Sequence, residues 1–319
     1  MRQLLAAALF LFGAFFAHAD QVSDPLAWLG RIATAGKQLN YAGLVVYHSG
    51  ERGETSRISH MVVGGEEFEK LETLDGSPRE VIRTRDEVKC FLPGQRTLIV
   101  DQPQGRRSFP SRLTSSYASL AESYRVRAGE VSRVAGLEAQ QIVLEPKDDL
   151  RFGHVLWADT KSGLLLKAKM VNSAGKSIEQ FAFSEINIGA EFEESEFRSR
   201  FDDANGWRVI NARGTELSDD RLGWSFRNAL PGYKMTSAVR RKIGPNRGDV
   251  THIVFSDGLA ALSVFIEEIS DKDSSAVGPA TSGPVNIFKR RVGKHLVTVL
   301  GEVPAKALQL LADGAEAVQ

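Results

Sequence analysis

The sequence predicts an α+β protein: a long antiparallel sheet that curls around a few helices, then a smaller α+β unit with an antiparallel sheet of its own. Three observations point there. Short runs with alternating apolar and polar residues recur along the chain, and turn pairs such as Gly64-Gly65, Asp75-Gly76 and Pro93-Gly94 separate them. Connections this short join antiparallel neighbours, because a parallel pair needs a crossover of about a dozen residues or more. A polar stretch without clear period, 202–221, divides the strands into two groups.

The chain begins with Met1-Arg2-Gln3, an apolar run from Leu4 to Phe16, and Ala17-His18-Ala19 before Asp20. This is the charged, apolar and small-residue order of a secretory signal peptide, with cleavage expected after Ala19. The run is shorter than the roughly 20 apolar residues that span a bilayer. Cys90 is the only cysteine, so no lipid-attachment cysteine follows the leader. The expectation is an exported, soluble mature chain.

A first helix is expected after Ser23-Asp24-Pro25, where capping residues precede a proline and Leu26, Leu29, Ile32 and Ala33 follow at helical spacing. Strands are then expected at 41–48, 56–63, 66–74, 79–84, 87–92 and 96–101. A helix over 111–123 places Leu113, Tyr117 and Leu120 on one side, and strands resume at 131–134, 138–145, 153–159, 164–171 and 177–188. In 164–171, Leu164, Leu166, Ala168 and Met170 alternate with Leu165, Lys167, Lys169 and Val171, as a half-buried strand requires. Beyond 202–221, taken as a linker, strands are expected at 223–228, 233–242, 250–256, 260–269, 286–292 and 295–301. Pro304 opens a last helix with Leu308, Leu311 and Ala312 inside, and 271–284 reads as a polar loop. The domain reading is therefore a signal peptide at 1–19, a first domain at 20–201, a linker at 202–221 and a second domain at 222–319.

Composition excludes several functions. The chain has 40 basic and 40 acidic residues. Nucleic-acid binding is therefore not expected, since it draws on a basic excess that displaces phosphate counterions. One cysteine forms no internal disulfide, and Cys90 shares a strand face with Val88 and Leu92, as a buried structural thiol would. Gly175-Lys176-Ser177 ends like a phosphate-binding loop, but Met170 stands where the first glycine belongs. The sequence has no Gly-x-Ser-x-Gly elbow. Of His18, His48, His60, His154, His252 and His295, none is followed by glutamate and no pair has helical metal-site spacing. His48, His60 and His252 are expected in strands, on or near the core. The chain is read as a non-enzyme without catalytic residues, metal or cofactor.

Several segments resemble the RseB/MucB family of periplasmic sigma-factor regulators, in order and behind a signal peptide. In the first domain they are Leu39-Asn40-Tyr41, Leu74-Asp75-Gly76 before Arg79-Glu80-Val81, and Phe91-Leu92-Pro93-Gly94. Val155-Leu156-Trp157-Ala158-Asp159-Thr160, Leu164-Leu165-Leu166 and Ile178-Glu179-Gln180-Phe181 follow. The second domain adds Leu230-Pro231-Gly232-Tyr233, Phe255-Ser256-Asp257-Gly258-Leu259 and Gly301-Glu302-Val303-Pro304. The resemblance implies a half-open β-barrel domain similar to the lipoprotein carriers LolA and LolB, joined to a smaller α+β domain. It implies a periplasmic protein that binds the periplasmic domain of a single-pass membrane anti-sigma factor and shields it from site-1 proteolysis. Lipopolysaccharide or lipoprotein acyl chains would be the releasing signal. A periplasmic lipid or lipoprotein carrier is the alternative, and a homodimer stays open.

On that reading the candidates for a lipid-binding cavity are Val46, Phe68, Leu71, Phe91, Trp157, Met170, Phe181 and Phe183. Candidates for contact with the anti-sigma factor or lipid A are Trp224, Phe226, Tyr233, Phe255 and Leu259. Arg240, Arg241, Arg290 and Arg291 join them, from two basic clusters whose guanidinium forks suit carboxylate or phosphate. Asp257-Gly258 reads as a two-residue type I′ hairpin turn.

Overall fold

In the computed structural model, the described residues are 24–103, 109, 113, 117–203, 205–227, 230–242, 248–270 and 276–318. The expected signal peptide lies outside them, as does most of 104–116. Helix α1 (Pro25–Gln38) starts where the Asp24 side chain accepts the Leu26 amide at 2.9 Å, and it buries Trp28, Leu29 and Ile32. Strands β1 (Tyr41–Ser49), β2 (Arg52–Val63), β3 (Glu66–Thr73), β4 (Glu80–Arg83), β5 (Val88–Leu92) and β6 (Thr97–Asp101) form one meander. A 3₁₀ turn, Tyr117–Ser119, and the single-turn helix α2 (Leu120–Ser123) lead into the second meander. It comprises β7 (Tyr124–Val134), β8 (Leu137–Pro146), β9 (Gly153–Asp159), β10 (Leu165–Val171) and β11 (Ser177–Ile188).

The two meanders join where β1 pairs with β11, giving a 12-stranded sheet. Its far edge is β12 (Arg208–Asn211), which runs parallel to β6, so the sheet is antiparallel with one parallel edge. Gly64 and Gly65 both have positive φ, the geometry that a two-residue turn between β2 and β3 demands. Tyr41, fully buried, stacks on His60 at 4.7 Å, and the His60 ring bonds the Leu39 carbonyl at 2.8 Å. The Leu39-Asn40-Tyr41 segment thus fixes where α1 turns into the sheet.

The second domain contains β13 (Thr215–Glu216), β14 (Trp224–Phe226), β15 (Lys234–Lys242), β16 (Asp249–Ser256), β17 (Ala261–Glu268), β18 (Gly278–Ser282), β19 (Val285–Val292) and β20 (His295–Gly301). Helix α3 (Ala305–Asp313) and β21 (Ala315–Ala317) complete it. Seven strands form an antiparallel sheet in the order β13-β15-β16-β17-β20-β19-β18, and β14 pairs with β21. Helix α3 lies on β19 and β20 and buries Leu308, Leu311 and Ala312 against the sheet.

Several expectations need correction. Of the helix expected over 111–123, the described residues form only the 3₁₀ turn Tyr117–Ser119 and the single helical turn Leu120–Ser123, and Leu113 is not helical. The stretch 202–221 is not free of structure: β12 belongs to the first sheet and β13 to the second. Both strands are too short to show a period. Within 271–284, Gly278–Ser282 is an edge strand; its residues stay polar and exposed because only one side is paired. The strand expected at 131–134 begins at Tyr124, its period hidden by exposed Arg125 and Arg127 and by a bulge between Ala128 and Val131. His48 is exposed, unlike buried His60 and His252, because β1 turns it away from the core.

Candidate functional site

Strand register decides which side chains share a face. Ile58, Leu71, Val81, Cys90 and Ile99 stand opposite one another in succession across β2 to β6, forming one apolar band. Leu71, Val81, Cys90 and Ile99 are half-buried. The same face carries Tyr41 and Val45 of β1, Phe181 and Phe183 of β11, Met170 and Ala168 of β10, and Leu156 of β9. Many of these pack in one core with α1, so this is the concave, helix-bearing face. Cys90 is half-buried rather than buried, and desolvation pushes its thiol pKa up although the Arg79 charge pulls the other way.

The eight cavity candidates split between the two faces. Leu71, Met170, Phe181 and Phe183 lie on the concave face. Phe181 and Phe183 are partly covered there by Phe109, with ring centroids 5.8 and 5.3 Å away. Val46, Phe68, Phe91 and Trp157 alternate onto the opposite face. There Phe197 covers Phe68 at 6.0 Å and Trp207 covers Phe91 at 6.4 Å. Ser199 and Arg200 tie that covering segment down by donating to the buried Glu80 carboxylate, at 2.6 and 3.0 Å. Trp157 lies under the Lys167 ammonium, 4.6 Å from its ring centroid. The rings of Phe68, Phe91 and Trp157 thus serve the packing of the outer face.

The junction between the domains holds a buried polar cluster. Arg151, on the β8–β9 loop, and Asp257, on the β16–β17 loop, form an ion pair at 3.3 Å, each side chain 1% exposed. Arg151 also donates to Asp148 at 3.0 Å and to the Pro231 carbonyl at 2.6 Å, and its guanidinium lies 4.9 Å from the Tyr233 ring centroid. Tyr124 donates to Asp257 Oδ2 at 3.3 Å, while Oδ1 accepts the Leu259 and Ala260 amides at 3.0 and 2.8 Å. Burial pushes the Asp257 carboxyl above its usual range, against the opposing pull of those amides and of Arg151. Burial also pushes the Tyr233 hydroxyl above its usual range, against the pull of the Arg151 charge. The β16–β17 connection is therefore not a two-residue type I′ turn. Ser256 pairs with Ala261, so four residues intervene, and of these Gly258 alone has positive φ.

A second polar bridge lies at the linker. Arg241 donates to Asp101 of β6 at 2.8 Å, to the Ala212 carbonyl at 3.1 Å, and to His252 Nδ1 at 2.7 Å. His252 stacks on Phe265 with centroids 4.2 Å apart. Burial, aided by the Arg241 charge, lowers its pKa to about 4.

The remaining partner candidates are scattered. Arg290 donates to the Ala312 and Asp313 carbonyls at 2.9 and 2.8 Å, capping the C-terminal turn of α3. Trp224 packs edge-on to His295, and Phe226 edge-on to Phe255. Tyr233 and Leu259 are buried at the junction. Arg240 and Arg291 are exposed, but register puts them on opposite faces of the second sheet. Sequence reasoning missed Arg151, Tyr124 and Asp148 as site residues. No local signal marked them: only in the fold do Leu230-Pro231-Gly232-Tyr233 and Phe255-Ser256-Asp257-Gly258-Leu259 converge on the Arg151 side chain. Among the described residues no group of three His, Cys, Asp or Glu could hold a metal ion, and no helix is long and apolar enough to cross a membrane.

Comparison with known proteins gives the lineage. The family model of the MucB/RseB N-terminal domain matches residues 24–201, and that of the MucB/RseB C-terminal domain matches residues 218–316. The sigma factor AlgU regulatory protein MucB of Pseudomonas aeruginosa is 31% identical, covering 93% of this chain and 92% of its own length. The sigma-E factor regulatory protein RseB of Salmonella typhimurium is 23% identical over 98% of both chains. A chain from the complex structure of Pseudomonas aeruginosa MucA/MucB superposes with a TM-score of 0.73 at 28% identity, covering 93% of this chain and 99% of that one. A structure of MucB in complex with MucA(peri) gives 0.71 at 27% identity, covering 93% and 100%. These relatives are named as regulatory proteins, and both domains match in order along the chain: it belongs to the MucB/RseB family.

Proposed function

We propose that this protein is a periplasmic negative regulator of envelope-stress sigma-factor signalling. It binds the periplasmic part of a membrane anti-sigma factor and shields that segment from site-1 proteolysis. The observation that carries this reading is the likeness, over 93% of the chain, to a protein solved in complex with MucA. Export through the N-terminal leader, cleaved after Ala19, supplies the compartment.

The concave band from Ile58 to Ile99 supports an acyl chain as the releasing ligand. Each methylene buried there contributes about 0.8 kcal/mol. The second sheet supports a protein partner. Its face away from α3 carries a row of half-buried Val254, Ser263, Leu300 and Ile287, and among the described residues β18 is paired on one side only. A pure lipid carrier gives residues 222–319 no task, so the carrier reading ranks second. The test is calorimetric titration of the mature protein with the periplasmic segment of its own organism's anti-sigma factor. A saturable one-to-one complex is expected; no heat and no co-elution on gel filtration would refute the reading.

A further inference from the structure

The second domain lends a side chain to the cavity of the first. Leu259, at the tip of the four-residue loop after β16, is 8% exposed and packs in the first domain's core rather than its own. It closes a chamber on the concave face lined by Leu113, Leu156, Leu165, Ala168 and Met170, with His154, Lys169 and Glu179 at its polar side. The free space beneath it is about 10 Å³, at the lower limit for one water molecule. The exchange is reciprocal, because Leu150 of the first domain packs in the second domain's core. Asp257 sets the loop's shape through two backbone amides and holds it in place through Arg151 and Tyr124.

We propose that Leu259 is a displaceable plug, so that an alkyl chain in the first domain's chamber and a seated second domain exclude one another. The inference rests on the reading that the concave face accepts an acyl chain, and it supplies the route by which occupancy reaches the partner-binding domain. A chamber whose apolar side is leucine, alanine and methionine suits an unbranched hydrocarbon chain, with its charged head left towards the polar side. Entry withdraws Leu259 and parts Arg151 from Asp257. Both charges then regain water, which offsets much of the lost attraction. Ligand shifts the equilibrium because it binds only the withdrawn arrangement.

A reversible lock tests this directly. A Cβ built on Gly232 stands 3.8 Å from Ser123 Cβ, within the span of a disulfide across the junction. The mature protein carrying Ser123→Cys, Gly232→Cys and Cys90→Ala is titrated with dansyl-labelled undecanoic acid, oxidised and then reduced. The plug predicts that the oxidised form binds at least about tenfold more weakly than the reduced form. Leu259→Ala, which leaves the loop's hydrogen bonds in place, should bind the probe about tenfold more tightly than the parent. Equal affinity of the oxidised and reduced forms, no gain in Leu259→Ala, or no probe binding by any form would overturn the proposal. Titrating the same samples with the anti-sigma segment separates the two readings. Partner binding without lock-dependent probe binding refutes the plug alone; lock-dependent probe binding without partner binding refutes the regulatory reading alone.

Discussion

Replacing Arg151 by methionine keeps an aliphatic stem between the Tyr124 and Tyr233 rings but leaves the Asp257 carboxylate buried without its counter-charge. The structure sets the scale. Both side chains are 1% exposed, and Arg151 also bonds Asp148 and the Pro231 carbonyl. Removing one member of such a pair costs about 3–5 kcal/mol, most of it the penalty of the stranded charge. Asp257→Asn should cost less, about 1–3 kcal/mol, because its amide oxygen still accepts the Leu259 and Ala260 amides. The double variant should therefore be less destabilised than the two singles summed, with a coupling of about 2 kcal/mol. The sign with pH is also fixed. Burial raises the folded-state pKa of Asp257, and losing Arg151 raises it further, so the Arg151→Met penalty shrinks as pH falls and the carboxyl protonates. Urea unfolding followed by tryptophan fluorescence reads both domains, since Trp28 and Trp157 lie in the first and Trp224 in the second. A coupling below about 0.5 kcal/mol, or a penalty that grows as pH falls, would refute the buried-pair account.

Other predictions concern separate parts of the molecule. His252 has its folded pKa depressed to about 4, so its contribution is intact above the unfolded value near 6.5 and is lost as pH falls towards 4. His252→Gln should flatten the fall in urea midpoint across that window, by up to about 3 kcal/mol; equal slopes in variant and parent would exclude the residue as its source. Gly232 has φ +77° and faces the Ser123 hydroxyl, so Gly232→Ala should destabilise the junction by about 1–3 kcal/mol, read as a lower melting temperature in calorimetry. The Cys90 thiol, desolvated on the concave band, should alkylate more slowly than free cysteine at pH 7; a rate equal to that of free cysteine would exclude the desolvation. Met170→Asp should abolish binding of dansyl-labelled undecanoic acid while Trp157→Ala spares it, because they stand on opposite faces; the reverse result would invert the assigned faces.

Much of the fold was legible because alternation in a half-buried strand is dictated by period two. The strands at 153–159 and 177–188 begin and end where the sequence places them. What alternation could not show is which of two alternating sets faces inward. Phe68 and Phe91 look like cavity residues on chemistry alone, yet a later segment, Phe192 to Trp207, folds back over them and makes their face a second packing surface. Residues separated by more than a hundred positions decide that, and no local pattern carries it. The arginine clusters misled for a similar reason. Adjacent Arg240 and Arg241 read as one basic patch, but strand geometry sends one to solvent and the other across the junction to Asp101. Asp257 was legible as structural; its partner Arg151 was not, because the two lie 106 positions apart and come together only when the two domains meet.

The central claim, that this protein shields an anti-sigma segment, is tested most directly by the rate of site-1 cleavage. The periplasmic segment of the organism's own anti-sigma factor is incubated with active site-1 protease, with and without saturating mature protein, and intact substrate is followed in time. The account predicts that cleavage slows markedly when the protein is present and recovers when lipopolysaccharide is added. Cleavage at an unchanged rate, with the protein folded and the protease active, would contradict it.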